Sequence, residues 1–343
     1  MKTIAALTLT LGLGLPASGQ AAETILFNCF FPPRHYVCSD FLPEMARRID
    51  EATEGRVRMR IPPKSLAAPP EQYQGVVNGV MDGAVQFNGF LAADIPAVAM
   101  GLLPFVGHKE SLPAGVALWE THRQHFGDQP FGEAILLSTF AFNGADIFSV
   151  NATPITTPED LSSRKIWAVP GGPADIMAAA GASVVSGPAV QMLELVSKGV
   201  VDGYVGQPLT EVTQYKLTDY TKSVTLFDDK ILQPGFSFYV GKQKWDRIAP
   251  VDQAAIQQAL GLDFVRYMGR YQDEVFEKSR QELADAGVVF VDGPPELLAK
   301  LKGYGALSVE NWVAAMAEQG VDGRAALADF EAHYQKARAE GGR

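Results

Sequence analysis

Apolar and polar positions change period repeatedly along the chain. Thr24 to Phe27 is a short apolar run that reads as a strand, and Asp40 to Thr53 carries apolar residues at helical spacing up to Gly55. Arg56 to Ile61 alternates, as a second strand does. Pro69-Pro70 sets the start of a helix over Pro70 to Asn78, and Gly79-Val80-Met81-Asp82-Gly83 turns the chain into the apolar Ala84-Val85-Gln86-Phe87. Strand, helix and strand in this order predict an α/β fold.

The same grammar returns in the second half. Lys165 to Val169 reads as a strand, Pro170-Gly171-Gly172-Pro173 as a turn before a helix, and Val184-Val185 as a short strand. Pro188 to Ser197 reads as a helix that leads into Gly199-Val200-Val201-Asp202-Gly203-Tyr204-Val205, an echo of the first Asp-Gly turn. Two lobes built alike and facing one another would leave a cleft between them, a preferred place for small-molecule sites. Asp82 and Asp202 recur in matching turns, so backbone geometry is the reading for both.

Further on, Ile231 to Val240 predicts a strand, Asp252 to Asp285 a long helix able to brace both lobes, Val288 to Val291 a strand and Pro295 to Lys302 a helix. No Gly/Ser-rich linker separates the halves, so the chain is expected to cross between lobes more than once. The division expected is residues 23–143 with 232–270 as lobe I, and 144–231 with 271–343 as lobe II.

The start of the chain adds an address. Met1-Lys2-Thr3 precedes an apolar run from Ile4 to Leu15 and small residues up to Ala22, which predicts a secretory signal peptide over residues 1–22, cut near Ala21 or Ala22. The run is shorter than the ~20 residues that span a bilayer, and no cysteine stands near the cut. A free periplasmic protein is expected. Cys29 and Cys38 are the only cysteines, and export to an oxidising compartment makes a disulfide between them the leading reading. His35 alone beside them does not make a zinc site.

With 343 residues and 47% hydrophobic composition the chain can build two cores. Its net charge of -10 argues against nucleic acid as a partner. The Gly-x-Ser-x-Gly elbow, the His-Glu-x-x-His helix and the Walker phosphate loop are all absent from the sequence, and no catalytic residue, metal site or cofactor is predicted. His108, His122 and His125 read as loop and helix surface.

Thr53-Glu54-Gly55-Arg56, Gly79 to Gly83, Leu103-Pro104-Phe105, Pro154 to Leu161, Lys165-Ile166 and Lys198 to Gly203 stand in an order and spacing that resemble the solute-binding proteins of tripartite ATP-independent periplasmic (TRAP) transporters, of the dicarboxylate-binding type. The resemblance implies a two-lobe periplasmic binding protein fold of the α/β class, with an interlobe ligand cleft and a long bracing helix. It further implies a soluble receptor that closes on a small solute and docks on a sodium-driven membrane permease. In the family an arginine ordinarily follows Lys-Ile and grips a substrate carboxylate through two parallel hydrogen bonds. Here that place holds Trp167, and where a second arginine commonly follows Gly-aromatic, the chain reads Gly144-Ala145-Asp146.

A carboxylate and an indole face attract a cation, so Asp146 with Trp167 predicts an ammonium site, with ethanolamine and choline as named solutes. Phe30, Phe31, Tyr36 and Tyr204 are candidates for an aromatic cage, and Asn88, Gln207 and Gln233 for its polar contacts. An organic acid such as a dicarboxylate or keto acid remains the alternative, with Arg34, Arg164 or Lys165 as compensating cations. A sensory ligand-binding subunit is a further alternative.

Overall fold

The computed structural model describes residues 22–127 and 131–341. Apart from Ala22, the predicted leader falls outside the described residues. The strands are β1 (Glu23–Asn28), β2 (Val57–Arg60), β3 (Gly83–Phe87), β4 (Ala134–Ala141), β5 (Asp146–Ser149), β6 (Lys165–Ala168), β7 (Ser183–Ser186), β8 (Gly203–Gln207), β9 (Ser223–Leu226), β10 (Gly235–Gly241) and β11 (Val289–Asp292).

They form two sheets, ordered β2-β1-β3-β10-β4 and β11-β9-β5-β8-β6-β7. Each sheet has a parallel trio, β2-β1-β3 in one and β7-β6-β8 in the other. Beside each trio lies one antiparallel strand delivered by the chain from the opposite sheet: β5 after β4, and β10 after β9. This is a mixed α/β fold of two lobes.

The echo seen in the sequence has a matching geometry. Gly79 and Gly199 take positive φ, 73° and 64°, where a side chain would be strained. The carboxylate of Asp82 then accepts from the Leu26 N–H at 2.8 Å, and that of Asp202 from the Lys165 N–H at 3.0 Å. Each aspartate thus ties its turn to the neighbouring parallel strand, as the backbone reading required.

Helices cover the sheets. They include α1 (Leu42–Ala52), α2 (Gln72–Val77), α3 (Ser111–Phe126), α4 (Met192–Ser197), α5 (Leu209–Gln214), α6 (Pro250–Ala259), α7 (Leu262–Asp285), α8 (Pro295–Glu318) and α9 (Gly323–Glu340). The single helix expected over Asp252 to Asp285 is two helices, because Gly261 leaves helical geometry at ψ -147°. The helix expected to stop at Lys302 continues to Glu318, and the strand expected from Ile231 begins only at Gly235, since the preceding residues cross between lobes. α7 packs on α3 beside the first sheet and on α5 beside the second, the bracing arrangement foreseen for it. α9 packs on α3, so the end of the chain lies against the first lobe although the numerical division placed residues 271–343 with the second.

The two crossings run side by side. Phe142 N donates to Pro234 O at 2.7 Å and Ala145 N to Leu232 O at 2.9 Å. Gln233 locks them further: its amide nitrogen donates to the carbonyls of Phe142 and Glu110, and its oxygen accepts from the His108 N–H.

Candidate functional site

The carboxyl ends of the parallel strands of both sheets converge on one cleft, the usual place for ligands in open α/β sheets. Phe30 and Phe31 follow β1, Phe87 ends β3, and Phe90, Phe142, Pro234 and Phe236 complete the wall on the first lobe. The second lobe supplies Trp167, Val169 and Pro170 from the end of β6, Pro188 and Ala189 after β7, Gly206 and Gln207 from β8, and Glu211 and Tyr215 from α5 and its end. The space between these walls, open mouth included, is about 430 Å³.

Strand alternation decides which side chains arrive there. In β6, Ile166 and Ala168 join the core on the far face of the sheet, while Trp167 and the following Val169 point the other way, toward the first lobe. The aromatic wall is packed internally: Phe142 and Phe236 lie 4.4 Å apart between ring centroids, Phe30 and Phe31 4.2 Å, and Phe87 and Phe236 5.5 Å. Cys29 and Cys38 form a disulfide that closes the loop carrying Phe30 and Phe31. Gly206 is at positive φ, 96°, and a Cβ there would meet Val169 at 2.7 Å, so this part of the wall requires glycine.

Trp167 is 1% exposed, and its indole N–H finds no acceptor among the described residues. A buried unpartnered donor in the lining of a cleft invites a ligand acceptor. Glu211, also 1% exposed, brings the only ionic side chain among the described lining residues; no lysine or arginine lines the cleft. His35 is stacked on Phe31 at 4.2 Å, and its Nε2 lies 3.2 and 3.3 Å from the two carboxylate oxygens of Glu211. The Tyr36 hydroxyl reaches Glu211 at 3.1 Å and Gln272 at 3.0 Å. Burial first, and then the Glu211 charge, push the Tyr36 and Tyr215 hydroxyls well above the ordinary tyrosine range, so both stay protonated.

Of the residues singled out in the sequence, Phe30, Phe31, Trp167 and Gln207 line the cleft together. Asp146 does not. It is fully buried at the start of β5, with its carboxylate 2.6 Å from the Lys230 ammonium and 3.4 Å from the Phe227 N–H. Burial pushes its carboxyl up against the pull of Lys230, and the pair is internally neutralised, which removes the charge that the ammonium site needed.

Tyr36 lies behind the wall, and Tyr204 stacks on Phe148 at 4.6 Å with its hydroxyl on Thr221. Asn88 bonds Ser237 and the Val98 carbonyl, and Gln233 locks the crossings. Each of these four is spent on a contact within the protein. Arg34 and Lys165 are exposed away from the lining, and Arg164 holds Ser149 and the Thr153 carbonyl. Among the described residues, no cluster of His, Cys, Asp and Glu is arranged for a metal, and no helix is long and apolar enough to cross a membrane.

Solved structures that share this fold include periplasmic solute-binding proteins. A TRAP periplasmic solute-binding protein from Bordetella bronchiseptica, solved with (R)- and (S)-mandelate bound, superposes with a TM-score of 0.84 at 25% identity, covering 91% of this chain and 99% of that one. One from Rhodoferax ferrireducens, solved with copurified benzoate, shares the fold with a TM-score of 0.81 at 22% identity, over 93% of this chain and all of that one. Among curated proteins, the outer membrane transporter protein TsaT of Comamonas testosteroni is 31% identical over 325 residues, 94% of this chain and 95% of its own length. The model of the bacterial extracellular solute-binding proteins, family 7, matches residues 27–312. The chain therefore belongs to this family of TRAP transport receptors, which bind small solutes outside the cytoplasm, work with membrane permeases and are not an enzyme family.

Proposed function

We infer that the solute is a small aromatic acid, captured between the lobes and presented to a TRAP permease. The observation that carries this reading is the wall itself: six phenylalanines, Trp167 and Tyr215 line one cleft. Such a surface rewards a planar ring through burial and through stacked or edge contacts worth about 0.5–1.5 kcal/mol per aromatic pair. The mandelate bound by the Bordetella bronchiseptica relative supports an acid carried on a ring. With no arginine among the described lining residues, the carboxylate end falls to neutral donors, of which the unpartnered Trp167 N–H is one and the Gln207 amide a second. Neutral N–H groups stabilise a buried carboxylate when two or three converge on it.

A second reading, a ring-bearing amine, is favoured by Glu211 and by the absence of a lining cation among the described residues. Ethanolamine and choline lose their proposed counterion once Asp146 is paired with Lys230. Protein unfolded, dialysed and refolded to remove copurified solute is titrated with mandelate, benzoate, benzylamine, choline, ethanolamine and succinate while tryptophan fluorescence is followed. Saturable responses to mandelate or benzoate are expected. A response confined to benzylamine or choline replaces the acid with an amine, and a response confined to succinate removes the aromatic reading.

A further inference from the structure

A cleft for an acid should not contain an unopposed carboxylate, yet Glu211 is one. The Val37 N–H points to Nδ1 of His35 at 3.3 Å, so Nδ1 accepts and the proton resides on Nε2, which donates to Glu211. The imidazole is then neutral and leaves the Glu211 charge intact. Tyr36 has a single hydroxyl proton for two acceptors, Glu211 and the Gln272 oxygen. Exchanging the ends of the Gln272 amide, whose nitrogen is otherwise unpartnered, makes Gln272 the donor and frees Tyr36 for Glu211. Even so, Glu211 receives two donors where a carboxylate has about four lone-pair directions.

We propose that Glu211 is the specificity-determining acceptor for a hydrogen-bond donor on the solute, so that the receptor selects hydroxylated aromatic acids over their hydroxyl-free counterparts. The proposal rests on the aromatic-acid reading. The solute's acceptor end goes to the orphaned Trp167 N–H and its hydroxyl to Glu211, with the ring between them. A buried site built to accept a proton-bearing group rejects the analogue that lacks it, because the carboxylate is then desolvated without compensation. The imidazole and phenol behind Glu211 fix its orientation, as a selective site requires.

Matched pairs test this: mandelate against phenylacetate, and 3-hydroxybenzoate against benzoate, by calorimetry on the full mature chain. The wild type is expected to bind the hydroxylated member of at least one pair about tenfold tighter or more, as a charge-assisted hydrogen bond allows. Glu211→Leu is expected to bring that ratio to about one while the hydroxyl-free acid holds or gains affinity. Should Leu at this buried position fail to fold, Glu211→Gln keeps the shape and removes the charge, and its ratio is expected to fall about threefold or more. Near-equal affinities within both pairs in the wild type, or a ratio that survives Glu211→Leu or Glu211→Gln, overturn the proposal and leave the aromatic-acid reading standing. Binding of benzylamine with none of the four acids overturns both.

Discussion

Asp146 shows how the same residue type changes role with its partner. In sequence it stands where the family often places an arginine, and no spacing rule announces that Lys230, far along the chain, will lie 2.6 Å away. Removing one member leaves a buried charge unpaired, so Asp146→Asn or Lys230→Met is expected to cost about 3–5 kcal/mol in urea denaturation. The double change Asp146→Leu with Lys230→Met should recover most of that loss and keep ligand affinity; a double variant that folds but no longer binds would return Asp146 to the solute.

His122 offers a second measurement at this scale. Burial lowers its pKa from 6.5 to about 4. The unfolded chain therefore takes up the proton first, and the stability present above pH 6.5 is lost as pH falls toward 4. The shift bounds the effect at about 3 kcal/mol, and the partial exposure of the ring brings it lower. Thermal melts of His122→Gln are expected to lose less stability than the wild type across that window. Phe30, Phe31, Trp167 and Gln207 were legible because strand ends point at clefts. Glu211 was not, because a lone glutamate on a short helix carries no periodic signal.

Elements were more legible than their ends. Both Asp-Gly turns, the strand-helix-strand order of each half and the long bracing helix follow from period and punctuation, since a buried strand and an amphipathic helix leave different traces in sequence. The Gly261 break and the late start of β10 escaped for a common reason: the crossings and the packing of α6 and α7 are tertiary demands that override local periodicity. The bridged loop after β1 links element to site. Cys29 and Cys38 are separated by 9 positions, and closing so short a loop is worth about 2–3 kcal/mol in the chain-entropy account. Cys29→Ala with Cys38→Ala should lower stability by that amount in denaturant titrations. It should also weaken aromatic solutes, because Phe30 and Phe31 lose the tether that holds them against the cleft. Unchanged affinity would show that the stacking of Phe31 on His35 suffices alone.

At the scale of the molecule, the two crossings laced together by Phe142, Ala145, Leu232 and Gln233 govern what the lobes can do. Two peptide strands bonded edge to edge flex as one ribbon far more easily than they slide past each other, and the Asp146–Lys230 pair clamps the ribbon where it enters the second sheet. Such a joint leaves the halves one soft coordinate, like the spine of a book. In the receptor proposed above, filling the cleft is therefore expected to produce a single change of outline, one that a membrane partner can sense from outside without contacting the cargo.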